Sequence, residues 1–329
     1  MPCRKSSPPK ATRQAFGEEL ARLGEDHPEL VVLDADLGKS TMTGEFMRRF
    51  PERYFDLGVA EHNMLGVAAG LALCGKTPVV TSFACFLSGR LETIRVAVAY
   101  NRANVKMAGT HAGLGVGPDG ASHMALEDLA ALRAVPRLTI LQPADEIETR
   151  QAVEWMIRRE GPVYIRLTRQ KLPAVHKPGY RFRVSVADTV YEPARKPRVG
   201  PRRTAKARVQ ATVFATGATV HHAVAAAKGL VSRGFAVRAV NAGTIKPFDD
   251  EAALYAAARS QRIVTVEDHN IVGGLGSAVC EALAGRRERC PVVRLGTRDF
   301  GESGEGEELY DKYGLTAGHI MEACLRNVW

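Results

Sequence analysis

LGVAEHNMLGVAAGLAL (57–73) is small, apolar and rich in glycine, so a helix made from it can be buried completely. Three polar residues nevertheless lie near its start, in the order Glu61, His62 and Asn63. An unpaired ionised carboxylate in a dry environment costs far more free energy than one residue normally contributes to stability. Glu61 therefore either faces water or meets a specific partner inside the protein.

Apolar β-type runs alternate with helical spacing on both sides of this stretch. The runs before residue 170 are VVLDAD (31–36), TPVVTSF (77–83), VKMAGT (105–110), LTILQP (138–143) and PVYIRLT (162–168). The helical spacing between them covers 61–74, 86–101 and 145–159. The later runs are ATVFATG (211–217), AVRAVNAG (236–243), RIVTVEDHN (262–270) and PVVRLG (291–296). This alternation predicts an α/β fold of two domains, with parallel or mixed sheets flanked by helices.

A basic segment rich in proline and glycine separates the two halves. Seven Lys and Arg residues and no acidic residue lie between positions 195 and 208, which accounts for most of the net charge of +9. We interpret it as a solvated linker, with docking onto an acidic partner as the alternative; no motif indicates nucleic-acid binding. The predicted division is a flexible arm (1–10), a first domain (11–184), the linker (185–208) and a second domain (209–329).

Composition excludes several classes of protein. No apolar run approaches the roughly 20 residues of a membrane span, and the N-terminal segment lacks the apolar core of a secretory signal. The six cysteines form no CxxC pair, which favours a reducing cytoplasm over a disulfide framework or a zinc site. We therefore expect a cytoplasmic protein with no membrane contact and no metal ligands of its own.

Polar and aromatic residues follow the predicted strands of the first domain. In parallel sheets, ligands bind at the carboxyl ends of the strands. The residues at these ends are Asp34 and Asp36, Phe83 and Phe86, His111, and Arg169. Their convergence on one edge predicts a binding site.

The segment GTHAGLGVGPDGASH (109–123) predicts a mobile loop at the same edge. It lacks the Lys-Ser/Thr pair of a phosphate-binding P-loop. Its glycines allow the backbone to bring His111, Asp119 and His123 close to a polar ligand. Each histidine alone is also compatible with an ordinary hydrogen-bonded loop residue.

Taken together, these motifs resemble a known family. The first half of the chain resembles the pyrimidine-binding domain of transketolases. The stretches that carry this resemblance are YFDLGVAEHNMLGVAAGLAL, TSFACFL, the glycine loop with its continuation MALEDLAALRAVPRLTILQPAD, and PVYIRLTRQKLP. VEDHNIVGGLGSAV is similar to the C-terminal domain of the same thiamine-diphosphate superfamily. The resemblance covers about residues 11–320. It implies transfer of a two-carbon ketol unit from a ketose phosphate to an aldose phosphate, as in the pentose phosphate pathway, with thiamine diphosphate and Mg2+ or Ca2+.

One family motif is absent. Transketolases hold the diphosphate and metal through Gly-Asp-Gly, and no GDG occurs in this sequence. The chain therefore resembles the C-terminal subunit of a split transketolase of about half the usual length. The resemblance implies a separate N-terminal subunit that carries the GDG motif, an α2β2 heterotetramer with the active site between subunits, and no activity of this chain alone.

The resemblance assigns the cofactor residues. The glutamate equivalent to Glu61 binds N1′ of the aminopyrimidine and activates the cofactor; a carboxyl group away from bulk water can share a proton with such a weakly basic nitrogen. Phe83 and Phe86 match residues that stack on the pyrimidine, although Phe86 also fits core packing. Asp36 matches an aspartate near the cofactor, with helix capping as its alternative. The third aromatic position of many transketolases is Gly89 here.

The substrate residues follow from the same resemblance. The sugar phosphate would be bound by Arg13, Ser40, His111 and Arg169, because guanidinium groups grip phosphate bidentately. Asp119 and His123 match residues that contact substrate hydroxyls near the reacting carbon, and His123 is assigned with Glu61 to the catalytic residues. Arg13 is also compatible with a solvated helix arginine.

Three other readings remain open. A deoxyxylulose-phosphate synthase shares a related Glu motif but is normally one long chain. The beta subunit of 2-oxo acid dehydrogenases is a separate chain of this size but usually lacks the arginine motif and the glycine loop. A regulatory or scaffold homologue would be expected to lose Glu61 or the phosphate ligands. Within the leading reading, the sugars, including sulfosugars, are not specified.

Overall fold

The computed structural model describes residues 8–193, 209–287 and 290–326. The basic run at 195–208 and most of the predicted arm at 1–10 lie outside the described residues. Lys10 already belongs to a strand, because it pairs with Leu172. The ordered first domain therefore begins slightly before the predicted boundary.

Short strands and helices alternate through both halves. The strands are β1 (Lys10–Ala11), β2 (Leu30–Asp34), β3 (Tyr54–Asp56), β4 (Thr77–Phe83), β5 (Lys106–Thr110), β6 (Thr139–Leu141), β7 (Val163–Arg166), β8 (Lys171–Leu172), β9 (Asp188–Tyr191), β10 (Val209–Ala215), β11 (Val237–Asn241), β12 (Thr244–Lys246), β13 (Ser260–Asn270) and β14 (Val292–Thr297). The α-helices are α1 (Thr12–Asp26), α2 (Gly38–Thr41), α3 (Gly44–Arg49), α4 (Glu61–Leu73), α5 (Ala84–Ser88), α6 (Leu91–Thr93), α7 (Asp128–Arg133), α8 (Glu146–Arg158), α9 (Val220–Ser232), α10 (Asp250–Arg259), α11 (Leu275–Leu283), α12 (Gly306–Lys312) and α13 (Ala317–Leu325). A π-helix covers Ile94–Tyr100, and short 3-10 turns cover Pro51–Arg53, Leu114–Asp119 and Gly217–Thr219.

The sheets confirm the predicted α/β class. The first has the strand order β12-β6-β7-β5-β4-β2-β3, and the second the order β14-β13-β10-β11-β9. All neighbours are parallel except the edge strands β12 and β9. Strands β2, β4 and β5 are buried along their whole length, which explains why their sequences show no regular alternation of apolar and polar residues.

Two edge strands pair across the predicted domain boundaries. β9 lies within the predicted linker 185–208 but pairs with β11 of the second sheet. β12 lies in the predicted second domain but pairs with β6 of the first sheet. One core cluster also contains residues of both halves, among them Ile140 and Tyr164 with Phe214 and Ile263. The two halves therefore share a sheet edge and a core.

The helix α4 is buried on one side only. Met64, Leu65, Ala68 and Ala69 face the interior, where α4 packs on β4 and on the π-helix. The opposite side is exposed; it carries His62 and Asn63 in its first turn and is apolar beyond them, where the side chain of Leu73 is 66% exposed. Complete burial, which the sequence allows, is therefore not reached within this chain. No helix among the described residues is long and apolar enough to cross a membrane.

Candidate active site

An aromatic cluster forms where β4 ends and α5 begins. Phe83 is the last residue of β4, and Phe86 lies in the first turn of α5 with its ring 5.5 Å from that of Phe83 and almost parallel, at 5°. The ring of His111 stacks on Phe83 at 3.9 Å. His123 approaches Phe86 edge-on at 5.5 Å, and its Nδ1 lies 2.9 Å from the hydroxyl of Ser122. Four of the predicted site residues are thus brought together.

His111 is held in one tautomer by its neighbours. Its Nε2 lies 3.1 Å from Nη1 of Arg13, and because a guanidinium can only donate, Nε2 accepts. Nδ1 therefore carries the proton and donates to Oγ1 of Thr110 over 2.9 Å. Burial, followed by the charges of Arg13 and Arg169, lowers the pKa of His111 to about 3. The imidazole is neutral at pH 7.

The backbone of His111 is unusual for a residue with a side chain. Its φ is +54°, in the left-handed region that non-glycine residues seldom adopt. Such strain tends to be kept at functional sites, where the surroundings hold it in place. The glycine-rich loop that follows β5 thus begins with a strained residue aimed at the aromatic cluster.

Arg13 connects α1 to the site. Its Nη1 also donates to the carbonyl oxygen of Ser40 at 2.6 Å, so the guanidinium lies between α2 and the histidine. Burial, then repulsion from Arg169, lowers the pKa of Arg13. Its Nε is buried without a hydrogen-bond partner among the described residues. A buried, unpaired donor beside a second cation is suited to an anionic ligand.

Arg169 and Asp119 form the rim of the same site. Nη1 of Arg169, just after β7, donates to the carbonyl of Val116 at 2.6 Å and lies 3.4 Å from Oδ2 of Asp119. Both side chains are 38% exposed. The second arginine is therefore held against the glycine loop yet remains open to solvent.

Glu61 lies at the first turn of α4 and is 5% exposed. The hydroxyl of Ser82 donates to its Oε1 over 3.4 Å, and Nη2 of Arg90 lies 3.9 Å from its Oε2. Both contacts are long, whereas a carboxylate offers about four acceptor positions. The buried carboxyl group therefore contacts the end of β4, the strand that ends at Phe83, and keeps acceptor capacity to spare.

Asp36 lies apart from this group. It is exposed, has a φ of +61°, and donates its N–H to Oδ1 of Asp56 at 3.0 Å. Among the described residues it makes no hydrogen bond or ring contact with the other predicted site residues. It instead lines a cavity of 850 Å³ bounded by α1, α2 and α3. The neighbouring Asp34 is buried and accepts hydrogen bonds from Thr41 and Thr81, so it holds α2 in place.

Sequence reasoning missed a buried charged network below the site. Arg166 is 1% exposed and donates Nε to Oδ2 of Asp128 at 2.8 Å, and Tyr164 donates to the same oxygen at 2.7 Å. Asp268 of β13 accepts from the backbone N–H of Leu114 at 2.7 Å. This network fastens the glycine loop to the second domain. The sequence feature that could have indicated this network is the presence of charged residues within two apolar runs, PVYIRLT and RIVTVEDHN.

Comparisons with known proteins agree with this architecture. Two family models match, the transketolase pyrimidine-binding domain over residues 9–175 and the transketolase C-terminal domain over residues 202–320. A putative transketolase C-terminal section of Methanocaldococcus jannaschii is 39% identical, over 97% of this chain and 96% of the relative. A 6-deoxy-6-sulfo-D-fructose transketolase subunit of Clostridium sp. (strain MSTE9) is 37% identical, over 95% and 92%.

A solved structure described as a split gene transketolase, inactive beta4 tetramer, is 41% identical. The two chains superpose with a TM-score of 0.84 over 97% of this chain and 98% of that one. The mammalian transketolases and transketolase-like proteins that match are covered over only 48–51% of their length. The chain belongs to the transketolase family and contains its pyrimidine-binding and C-terminal domains.

Proposed function

We propose that this chain is the C-terminal subunit of a split transketolase that transfers a two-carbon ketol unit from a ketose phosphate to an aldose phosphate. The observation that carries the proposal is Glu61, a buried carboxyl group with spare acceptor capacity that contacts Ser82 at the end of β4, where the parallel rings of Phe83 and Phe86 follow along the chain. This is the arrangement that an aminopyrimidine requires.

The residues present fit the pyrimidine end of thiamine diphosphate. Phe83 and Phe86 offer flat apolar surfaces for a heteroaromatic ring, and Glu61 offers a hydrogen bond at its edge. When bound, the cofactor supplies the carbon nucleophile and the electron sink for carbon–carbon bond cleavage. Glu61 holds and exchanges a proton at N1′ of the pyrimidine, which is general acid–base work suited to a carboxyl group shielded from water.

The substrate binds to the cationic side of the site. Arg13 and Arg169 supply donors to the phosphate group, and neutral His111 places its proton on Nδ1 so that Nε2 can act only as an acceptor. In the structure Nε2 of His111 accepts a hydrogen bond from Arg13, so His111 orients the guanidinium of Arg13. Ser40 binds the sugar phosphate together with Arg13, His111 and Arg169. Asp119 and His123 bind sugar hydroxyls near the reacting carbon, and His123 exchanges protons there.

The site is half of an enzyme. No GDG motif for the diphosphate and metal is present in the sequence, and the exposed side of α4, which is apolar beyond His62 and Asn63, begins next to Glu61. We propose that an N-terminal subunit covers this side, contributes the diphosphate and Mg2+ or Ca2+ ligands, and forms an α2β2 assembly. The inactive beta4 state named for the 41% identical structure supports the need for a partner. Free thiols at Cys74, Cys85 and Cys324 support a reducing, cytoplasmic setting.

Reconstitution tests the proposal. Three samples are assayed: this chain alone, a GDG-containing chain of about 270–300 residues from the same source alone, and a mixture of the two. Each is given thiamine diphosphate, Mg2+ and a panel of ketose and aldose phosphates. We expect two-carbon transfer by the mixture only. Transfer by the lone chain would contradict the split enzyme, and an inactive mixture that nevertheless forms a stable complex would contradict the transketolase assignment.

A sulfonated sugar is a second candidate donor. The 37% identical subunit is named for 6-deoxy-6-sulfo-D-fructose, and a sulfonate, like a phosphate, presents oxygen acceptors to Arg13 and Arg169. The panel therefore includes a sulfosugar beside its phosphorylated counterpart. A higher kcat/KM for the sulfosugar would assign it as the donor; a higher value for the phosphate ester would reject it.

A further inference from the structure

Two histidines and a glutamate meet at the surface of the second domain, outside the candidate active site. His221 and His222 lie in the first turn of α9, and Glu307 lies in the first turn of α12. One ring nitrogen of each histidine and one carboxylate oxygen of Glu307 lie within 4.8 Å of one another. Nε2 of His222 is 3.7 Å from Oε2 of Glu307.

One imidazole nitrogen of each histidine has no hydrogen-bond partner in the described part of the chain. His222 is 8% exposed, and its Nε2, like Nδ1 of His221, is buried without a hydrogen-bond partner among the described residues. Leaving such groups unpaired is unfavourable. Imidazole is the commonest metal ligand among protein side chains.

We propose that His221, His222 and Glu307 bind a divalent transition-metal ion of the zinc type. Imidazole suits Zn2+, Co2+ and Ni2+, whereas Mg2+ and Ca2+ prefer oxygen ligands. Three protein ligands leave a fourth position for water. Bonds of about 2.0–2.1 Å place tetrahedral ligand atoms about 3.4 Å apart. Nε2 of His222 and Oε2 of Glu307, at 3.7 Å, need only a small adjustment by the 71% exposed side chain of Glu307. The ligand nitrogen of His221 lies within 4.8 Å of both atoms and would move closer when an ion binds.

Such an ion would join α9 to α12, and α12 packs against the 3-10 turn Leu114–Asp119 of the glycine loop. The ring of Tyr310, on α12, lies edge-on to His222 at 5.7 Å. Its hydroxyl donates to Oδ2 of Asp268 and accepts from Gln170, each at 2.5 Å. The side chain of Tyr310 therefore connects the proposed metal site to the hydrogen bonds that hold the glycine loop.

Metal titration of the untagged full chain tests the proposal. After removal of metals with a chelator, Zn2+ is titrated by calorimetry, and Mg2+ is titrated in parallel. We expect one Zn2+ per chain with a Kd of about 1 μM or tighter, a raised Tm with Zn2+, and no binding of Mg2+ in the same range. Absence of Zn2+ binding would overturn the proposal.

Three variants locate the site. His222→Ala should weaken Zn2+ binding by more than about 100-fold, since even outer-shell partners of a metal contribute 10–100-fold. Glu307→Gln, at an exposed position where folding is not at risk, should also weaken it. His319→Ala is the matched control, because within the described ranges His319 pairs with one carboxylate, that of Asp311 at 3.7 Å, and this variant should bind Zn2+ like the wild type.

Visible absorption of Co2+ gives an independent readout. The wild type should develop the intense bands of a four-coordinate site, and both His222→Ala and Glu307→Gln should lose them. Equal Zn2+ affinity in the wild type and in Glu307→Gln, with unchanged Co2+ bands, would overturn the assignment of these ligands.

Discussion

Replacement of Asp128 by Asn tests the buried network that supports the site. Asp128 and Arg166 are 0% and 1% exposed, and the carboxylate receives Nε of Arg166 at 2.8 Å and the hydroxyl of Tyr164 at 2.7 Å. The Asn side chain has nearly the same shape but no charge. The guanidinium would remain buried without its counter-ion.

The magnitude follows from what remains around Arg166. Breaking a buried ion pair by removing one partner costs about 3–5 kcal/mol, because a buried charge is left uncompensated. Nη2 of Arg166 keeps its hydrogen bonds to the carbonyls of Ala125 and Asp268, at 2.7 and 3.0 Å, and the carboxylate of Asp268 remains nearby. We therefore expect Asp128→Asn to lower the free energy of unfolding by about 3 kcal/mol, the low end of the range.

Urea denaturation measures this change, and the chain offers a matched control. Arg133 and Glu281 form an equally close pair at 2.6 Å, but Glu281 is 65% exposed. Glu281→Gln should cost less than about 1 kcal/mol. The double variant Asp128→Leu, Arg166→Met should recover most of the loss, since apolar replacements of a buried pair are often neutral. Equal effects of Asp128→Asn and Glu281→Gln would refute the reasoning.

Two further predictions concern the cationic side of the site. Arg169→Ala should raise KM for phosphorylated substrates by about 10–100-fold in the reconstituted pair, since a charged hydrogen bond contributes about 1.5–3 kcal/mol, with Arg169→Lys intermediate; an unchanged KM would move the phosphate site elsewhere. His111, whose pKa is about 3, stabilises the fold above its unfolded value near 6.5, and this contribution is lost as the pH falls from 6.5 towards 3. Asparagine tolerates a positive φ, so His111→Asn is a suitable variant. Between pH 7 and pH 5, its free energy of unfolding should fall by about 2 kcal/mol less than that of the wild type. Equal decreases in the two proteins would contradict the assigned burial.

The strands and α4 could be predicted because their signals are local. Mainly apolar, β-type runs predict β2, β4 and β5, and all three are buried parallel strands in the structure. The helical spacing at 86–101 was less informative, since the chain forms α5, α6 and a π-helix there. A backbone hydrogen-bond pattern of that kind leaves no distinct trace in the spacing of apolar residues.

Long-range pairing could not be predicted. β12 has only three residues, and nothing in Thr244–Lys246 distinguishes an edge strand of its own domain from one that joins β6 of the other. Asp34 and Asp36 both end the first strand, but only the structure separates the buried Asp34 from the exposed Asp36. The choice of Asp36 as a cofactor residue rested on resemblance and stays a prediction.

The contacts among Arg13, His111, Phe83 and Phe86 agree with the grouping that motif order suggested. The buried network of Asp128 and Arg166, which supports these residues, was not predicted, because a charged residue in an apolar run gives no information about its partner. The cluster of His221 and His222 could not be predicted for the same reason, because its third member, Glu307, lies on a helix that is distant in the sequence.

The most direct test of the central claim is the rate of two-carbon transfer by the reconstituted pair carrying Glu61→Gln. The amide keeps the size of the side chain but cannot exchange the proton at N1′. We expect kcat to fall by about 100–10,000-fold, the usual contribution of general acid–base catalysis, while Glu92→Gln, an exposed glutamate on α6, keeps the wild-type rate. Wild-type turnover by Glu61→Gln would contradict the account.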